Sequence, residues 1–392
     1  MSQQASAPDT THPTPTNSAS QVSFDKMHHW IRHNMPVTAA ACAALPDLSQ
    51  VRLAYSGHIS YNVMTALAAF LEKGADLFLL TCNPTTVRND VVTWLQDQGA
   101  QAHAWKDMSA QEYAKGIDKV LEWQPTHTCE MGADITTRAH QTGADSITVA
   151  LEATGSGINR LAGLTPRYPI FNWDDLPVKE GLHNRHMVGL MTWQAFSERT
   201  FLSLHGKRVV VVGYGLVGRG VADAARAYGG VVSVVERSAD KRLEARFAGW
   251  HTGTLEDLAP EADVIVTATG VPKVLDRGVL ALTKPGCFLL NVGHVADEID
   301  LAAFEQREDV FPHVERVKIA GNDLYLFAGG SMANLTAGQG DSLNAFDITA
   351  AVMVSGIGFI AQGGTTWEAG VYPLPRQVWL EAADRAVTIG HW

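Results

Sequence analysis

From residue 51 onward, short apolar runs alternate with stretches of helical period, the pattern of a parallel sheet whose strands are joined by helices. Val51-Arg-Leu-Ala-Tyr55 reads as a strand and Tyr61–Lys73 as an amphipathic helix stopped by Gly74. Asp76–Cys82 and Val87–Gln98 repeat the pair, and Ala102–Trp105, Thr126–Cys129, Ser146–Leu151 and Tyr168–Asn172 continue the strands. This first unit closes near residue 185. A second opens at Gly206-Lys-Arg-Val-Val-Val-Val-Gly213, with strands at Val231–Val235, Asp263–Thr267 and Cys287–Val292, and ends near Gly330. Between them, His186–Leu204 carries Met187, Leu190, Met191, Trp193 and Phe196 at helical spacing. It reads equally as a hinge element or as the first helix of the second unit. The segment from Asn334 has helical period but too little apolar material for its own core, so it is expected to pack back onto the first unit. The fold class is α/β, with two doubly wound parallel-sheet domains: a discontinuous one over 24–185 plus 335–392, and a second over 186–334.

Composition narrows the function classes. Of 392 residues, 46% are hydrophobic and 18% charged, enough apolar material for two large cores. Thirty basic against 41 acidic residues leave a net charge of −11 with no basic block, which argues against nucleic acid as a partner. The four cysteines lie far apart with no CxxC pair, against a metal site or a disulfide framework and in keeping with a reducing cytoplasm. The longest apolar stretch, Ala350–Ala361, reads as too short to span a membrane. Residues 1–23, rich in Ser, Thr, Pro and Gln, read as a disordered tail rather than a leader peptide.

The most specific local signal is Gly213-Tyr-Gly215-Leu216-Val217-Gly218. Alone it is weak. Here a valine strand precedes it, a helix over Val217–Tyr228 follows, and a second strand ends at Glu236, 18 residues past Gly218. That combination reads as a dinucleotide-binding turn. Gly213 permits the tight turn, Gly215 lets a pyrophosphate approach the backbone, and Gly218 lets helix and strand pack closely. The helix N-terminus then offers N–H groups to the phosphates. Glu236 is placed to accept from ribose hydroxyls and to repel a 2′-phosphate, favouring NAD over NADP, although Arg237, Lys241 and Arg242 stand nearby. The second domain is thereby a Rossmann NAD-binding domain and the first a substrate domain.

Gly213–Gly220, Asn291-Val-Gly-His-Val-Ala-Asp-Glu-Ile-Asp300 and Asn172-Trp-Asp-Asp-Leu-Pro-Val-Lys-Glu-Gly-Leu-His-Asn184 together resemble the S-adenosyl-L-homocysteine hydrolase family. The resemblance extends, in order, through Gly57-His58, Cys82-Asn83, Ala104-Trp-Lys106, Gly132-Ala-Asp134, Glu152-Ala-Thr-Gly155, Asn334-Leu335 and Gly370–Pro375, from Arg52 to about Val387. It implies that NAD oxidises a nucleoside 3′-hydroxyl to a ketone, that a base removes the acidified C4′ hydrogen, that the 5′-thiolate leaves, and that water adds before the ketone is reduced again. It implies Lys179 at the 3′-hydroxyl proton, Glu152 on the ribose hydroxyls, His58 beside the 5′ leaving group and His294 near the substrate. It implies cofactor contacts at Thr154, Asn184, Leu216, Val217, Glu236, Thr269, Asn291, Asn334 and the three glycines. Blander readings stand beside these: His58 as a helix cap, Lys179 as a solvated loop residue, His294 as a core histidine.

The chain also departs from that family. Met131 stands where the family has the carboxylate of the C4′ proton transfer, and His183 where an aspartate partners the lysine. The Gly-His-Pro-Ser pocket motif reads Gly338-Gln-Gly-Asp-Ser342, and Ala153 and Gly155 replace two threonines. The sequence stops at Trp392 without the family's C-terminal arm, from which faster cofactor exchange is expected. A changed nucleoside thioether substrate is one reading; the standard homocysteine-releasing reaction, a simple NAD dehydrogenase and a silent NAD-binding regulator are the others. With its carboxylates gone, proton work is expected to fall to a histidine, His183 or His58, with Lys179 lacking a carboxylate partner. A homo-oligomer is expected from the apolar final helix (Val378, Trp379, Leu380, Ala383).

Overall fold

A computed structural model describes residues 23–294 and 297–389, so all of the expected tail except Ser23 lies outside the described residues. The strands are β1 (Arg52–Gly57), β2 (Asp76–Thr81), β3 (Gln101–Ala102), β4 (His127–Glu130), β5 (Val149–Glu152), β6 (Pro169–Asn172), β7 (Arg208–Val212), β8 (Val231–Val235), β9 (His251–Thr252), β10 (Val264–Thr267), β11 (Phe288–Asn291), β12 (Gln306–Phe311), β13 (Val314–Ile319), β14 (Asn322–Phe327) and β15 (Gly370–Pro373). They form two sheets, β15-β6-β5-β4-β1-β2-β3 and β12-β13-β14-β11-β10-β7-β8-β9. Every pairing is parallel except those of the β12-β13-β14 meander.

Both sheets are buried on both faces, which is why their strands read as continuous apolar runs such as Val209–Val212. The expected strand at Ala102–Trp105 shrinks to Gln101–Ala102, because pairing ends after His103 N donates to Leu79 O. The β12–β14 strands were not among the expected elements. Gln306–Phe311 is exposed at every residue, and its register is pinned by Arg307–Glu315 and Arg316–Glu308 ion pairs rather than by apolar alternation. The C-terminal segment contributes a strand as well as helices: β15 pairs with β6 at the sheet edge.

The helix Leu343–Gln362 is 20 residues long, so it does reach membrane-spanning length, contrary to the shorter run read from the sequence. Its residues Ile348–Val354, Ile357 and Ile360 are spent in the core of the first sheet. The final helix, Arg376–Ile389, turns Val378, Ala382 and Ala386 into that same core and packs Trp379 against it, so part of the apolar face from which self-association is expected is used inside the chain.

The expected connector helix also differs. A nine-residue π-helical stretch, Lys179–Met187, runs into an α-helix that ends at Thr200. Sustained π geometry is rare and concentrates at functional sites. The α-helical part crosses the helix Leu216–Ala227 at van der Waals contact: a Cβ on Gly189 would lie 2.5 Å from Gly220 O, and one on Gly220 would lie 2.0 Å from Arg185 O. Trp193 Nε1 donates to Val221 O at 3.0 Å across the same crossing. The connector is thus locked onto the helix that follows the glycine turn.

Candidate active site

Ligand-binding residues of parallel sheets sit beyond the carboxyl ends of the strands. His58 follows β1, Met131 β4, Ala153 and Thr154 β5, and Asp174 β6; on the other sheet Gly213 follows β7, Glu236 β8, Thr269 β10 and His294 β11. The two carboxyl edges share one cavity of about 460 Å³, lined by His58, Lys179, His183 and His294 from the predicted catalytic set and by Thr154, Asn184, Gly215, Leu216, Val217, Thr269 and Asn334 from the predicted cofactor set. A second cleft of about 860 Å³ lies over Gly213, Gly215 and Glu236 and shares Gly215, Ala268 and Thr269 with the first. Glu152, Gly218 and Asn291 line neither.

The glycine turn fits a dinucleotide. Gly213 has φ +98°, and its missing Cβ would lie 2.6 Å from Ala268 O; a Cβ on Gly218 would lie 2.0 Å from Gly213 O. A Cβ on Gly215, by contrast, meets no protein atom within 4 Å, because that face opens onto the clefts. Glu236 accepts from Tyr214 N and Ser238 N, both at 2.8 Å, so it braces the turn as well as facing the larger cleft. Arg242 donates from Nη1 to the carbonyls of Glu236 and Arg237 and, with Arg237 and Lys241, lines the larger cleft. Glu298, for which the sequence suggested no role, is fully buried and accepts from Thr269 N, Thr269 Oγ1 and Gly270 N. It shapes the loop common to both clefts. Asn291, also fully buried, accepts from Thr267 Oγ1 and Gly293 N beneath the turn that carries His294.

Lys179 keeps a carboxylate after all. Its Nζ pairs with Asp174 and donates to Ala153 O at 2.8 Å, which corrects the expectation that His183 leaves it without one. Asp174 lies five residues before the lysine rather than four after it, and only the fold of the β6 loop brings the two together.

Glu152 is not turned to the cavity. It accepts from Gly132 N (2.9 Å), Ala133 N (2.8 Å), Thr154 N (2.8 Å) and Thr154 Oγ1 (2.7 Å), and so fixes the turns on either side of it. Glu130, opposite it in register, accepts from Ile135 N at 2.8 Å and from Thr136, capping the following helix. Burial pushes both carboxyls up, Glu152 to about 8 and Glu130 to about 7, against the pull of these donors. Neither can stand in for the carboxylate missing at Met131.

His58 Nδ1 lies 2.8 Å from Thr86 Oγ1 and 3.6 Å from Cys82 Sγ. Burial, with His294 adding to it, pushes the imidazole down to about 4. His294 is likewise lowered by burial. His183 Nε2 lies 3.2 Å from Asp341 Oδ2, with both side chains under 10% exposed. Burial would raise the Asp341 carboxyl, but His183, His58 and Asn334 hold it below its usual range. His183 Nδ1, Asp341 Oδ1 and Asn334 Oδ1 are buried without a protein partner among the described residues. Buried polar atoms left so cost on the order of 1–3 kcal/mol each, which marks this wall of the cavity as built for something else.

Fold and site together define an α/β protein of two largely parallel sheets, one bearing a dinucleotide-type glycine turn, whose carboxyl edges face a shared cavity. Residues 194–340 match the family described as S-adenosyl-L-homocysteine hydrolase, NAD binding domain. The chain is 31% identical over 374 residues to S-inosyl-L-homocysteine hydrolase of Methanopyrus kandleri, covering 91% of this chain and 88% of that one. It is 31% identical over 364 residues to adenosylhomocysteinase of Pyrococcus abyssi (89% and 86%), and 30% identical over 391 residues to that of Pyrobaculum aerophilum (91% and 89%). Among solved structures, a dipicolinate synthase chain from Bacillus halodurans overlays 80% of this chain and 99% of its own, at a TM-score of 0.49 and 16% identity. The chain belongs to the S-adenosyl-L-homocysteine hydrolase family, is an enzyme, and takes NAD as its cofactor.

Proposed function

We propose that this enzyme cleaves a nucleoside thioether of the S-adenosyl- or S-inosyl-homocysteine type without net redox change, with 24–185 plus 335–392 holding the substrate and 186–334 the cofactor. The observation that carries the reading is the single cavity in which Lys179, His58, His183 and His294 meet Gly215, Thr269 and Asn334. Bound NAD supplies a hydride acceptor that makes the 3′-carbon a ketone and a donor that later restores it.

Lys179, fixed by Asp174 and Ala153 O, holds the 3′-hydroxyl proton as the ketone forms. His58, neutral because it is buried, presents an imidazole to the leaving sulfur without a charge that would have to be desolvated. His294 closes the cavity from the cofactor side. Thr154 caps the helix Gly155–Leu161 through Gly157 N and presents the start of that helix to the cavity. Met131 and Asp341, both in the wall, replace groups that the family resemblance leads one to expect, and support a variant nucleoside.

The test is to mix purified holoenzyme with S-adenosylhomocysteine and S-inosylhomocysteine in turn and follow free thiol and reduced nicotinamide together. Thiol released in multiples of the enzyme, with no lasting NADH, is the expected result. NADH accumulating without thiol would overturn it in favour of a simple dehydrogenase.

A further inference from the structure

Two positions at which the sequence departs from its family, His183 and Asp341, are in contact in the cavity wall. Their geometry is that of an oriented imidazole. Nε2 faces the carboxylate at 3.2 Å, so the neutral ring carries its proton on Nε2 and its lone pair on Nδ1. Nδ1 is buried and has no protein partner among the described residues. The ring is braced edge-on by Phe346, with centroids 5.2 Å apart and planes at 74°. His183 also stands midway in the π-helical stretch, four residues after Lys179, on the connector between the two sheets.

The other polar groups of the cavity have other work. Lys179 serves the 3′-hydroxyl, His58, with Nδ1 against Thr86 Oγ1, serves the leaving sulfur, and His294 closes the cavity from the cofactor side, while Glu130 and Glu152 are turned into the backbone. Met131 has no acceptor for a proton.

We propose that Asp341 is a positioning residue that holds His183 in the Nε2–H form, and that His183 Nδ1 is the base that takes the C4′ proton. This rests on the function proposed above. Once the 3′-hydroxyl has been oxidised to a ketone at the expense of bound NAD+, the C4′–H bond breaks and its proton passes to Nδ1. Its electron pair forms the C4′–C5′ double bond, and the C5′–S bond breaks with its electrons leaving on the thiolate. The imidazolium so formed lies against the Asp341 carboxylate. The proton held on Nδ1 exchanges with solvent while the unsaturated ketone is bound. When water adds its hydroxyl at C5′, a solvent-derived proton passes from Nδ1 to C4′, water's other proton neutralises the thiolate, and the imidazole is neutral again.

Two measurements test the pair. In protein labelled with ¹⁵N-histidine, His183 should show the Nε2–H tautomer, and Asp341→Asn should shift that population; an Nδ1–H tautomer in the wild type would overturn the assignment even if every variant misfolds. In deuterated water with S-adenosyl- or S-inosylhomocysteine, His183→Asn should lower C4′ hydrogen exchange by about 100-fold or more, the usual scale for losing a general base. Asp341→Asn should lower it less, and both should still reduce bound NAD+ on mixing with substrate. Exchange within about threefold of wild type in both variants overturns the pair while leaving the proposed function standing. A wild type that reduces its NAD+ but exchanges nothing overturns the proposed function, and the base with it.

Discussion

Gly215 separates cofactor binding from folding more sharply than any other single residue. Its φ of −73° suits any residue, and a side chain there meets no protein atom. Gly215→Val should therefore keep the far-ultraviolet circular dichroism of the wild type while the dinucleotide released on heating falls to background; retained NAD would place the pyrophosphate elsewhere. His58 carries a pH signature. Its folded-state value of about 4 lies below the ordinary 6.5, so the stability it confers is present above pH 6.5 and lost as pH falls through about 4. Between pH 7 and 4.5 that loss is on the order of 2–3 kcal/mol. His58→Gln should lose that much less stability over the same interval in urea unfolding. Equal losses in the two proteins would mean that the imidazole is protonated in the folded state.

The helices and strands show which parts of the fold local sequence can announce. The turn at Gly213, the valine strand before it and the helix after it were legible because each obeys a local rule. Burial, dihedral and spacing coincide there. The edge strand β12 was not legible, because an exposed strand has no apolar period to read; β13 and β14 do turn Val314, Val317, Ile319, Leu324 and Leu326 inward and were missed in spite of it. Asp174 and Glu298 were not legible either, because their partners are set by how loops cross rather than by spacing. Asp347 is a third case. It lies on the helix Leu343–Gln362 yet accepts from Val37 N (2.9 Å) and Thr38 N (2.7 Å), capping the helix Pro36–Ala43, which has no side-chain cap of its own. Asp347→Ala should cost about 3 kcal/mol, the scale of two hydrogen bonds to a buried charge with part of the capping recovered by relaxation. A loss under about 1 kcal/mol in urea unfolding would mean that the first two helices dock without it.

At the scale of the whole molecule, the chain passes between its two sheets twice, through the connector that contains Lys179–Thr200 and through the segment that contains Ala328–Thr336. Both passages border the cavity, so residues of both sheets meet in it. Opposite the connector, Thr85 reaches Ser331 (3.3 Å) and Thr336 (3.0 Å), a hydroxyl contact that ties the loop after β2 to the second passage. On the function proposed above, a cofactor reduced and reoxidised in place would lie between these two passages. The most direct measurement is mass spectrometry of nucleoside and thiol recovered from wild-type holoenzyme in deuterated water with S-inosyl- or S-adenosylhomocysteine. Deuterium at C4′, together with free homocysteine and a bound cofactor that ends as NAD+, is the predicted result. A 3′-oxidised nucleoside with its C4′ hydrogen intact, accompanied by an equal quantity of NADH, would contradict it.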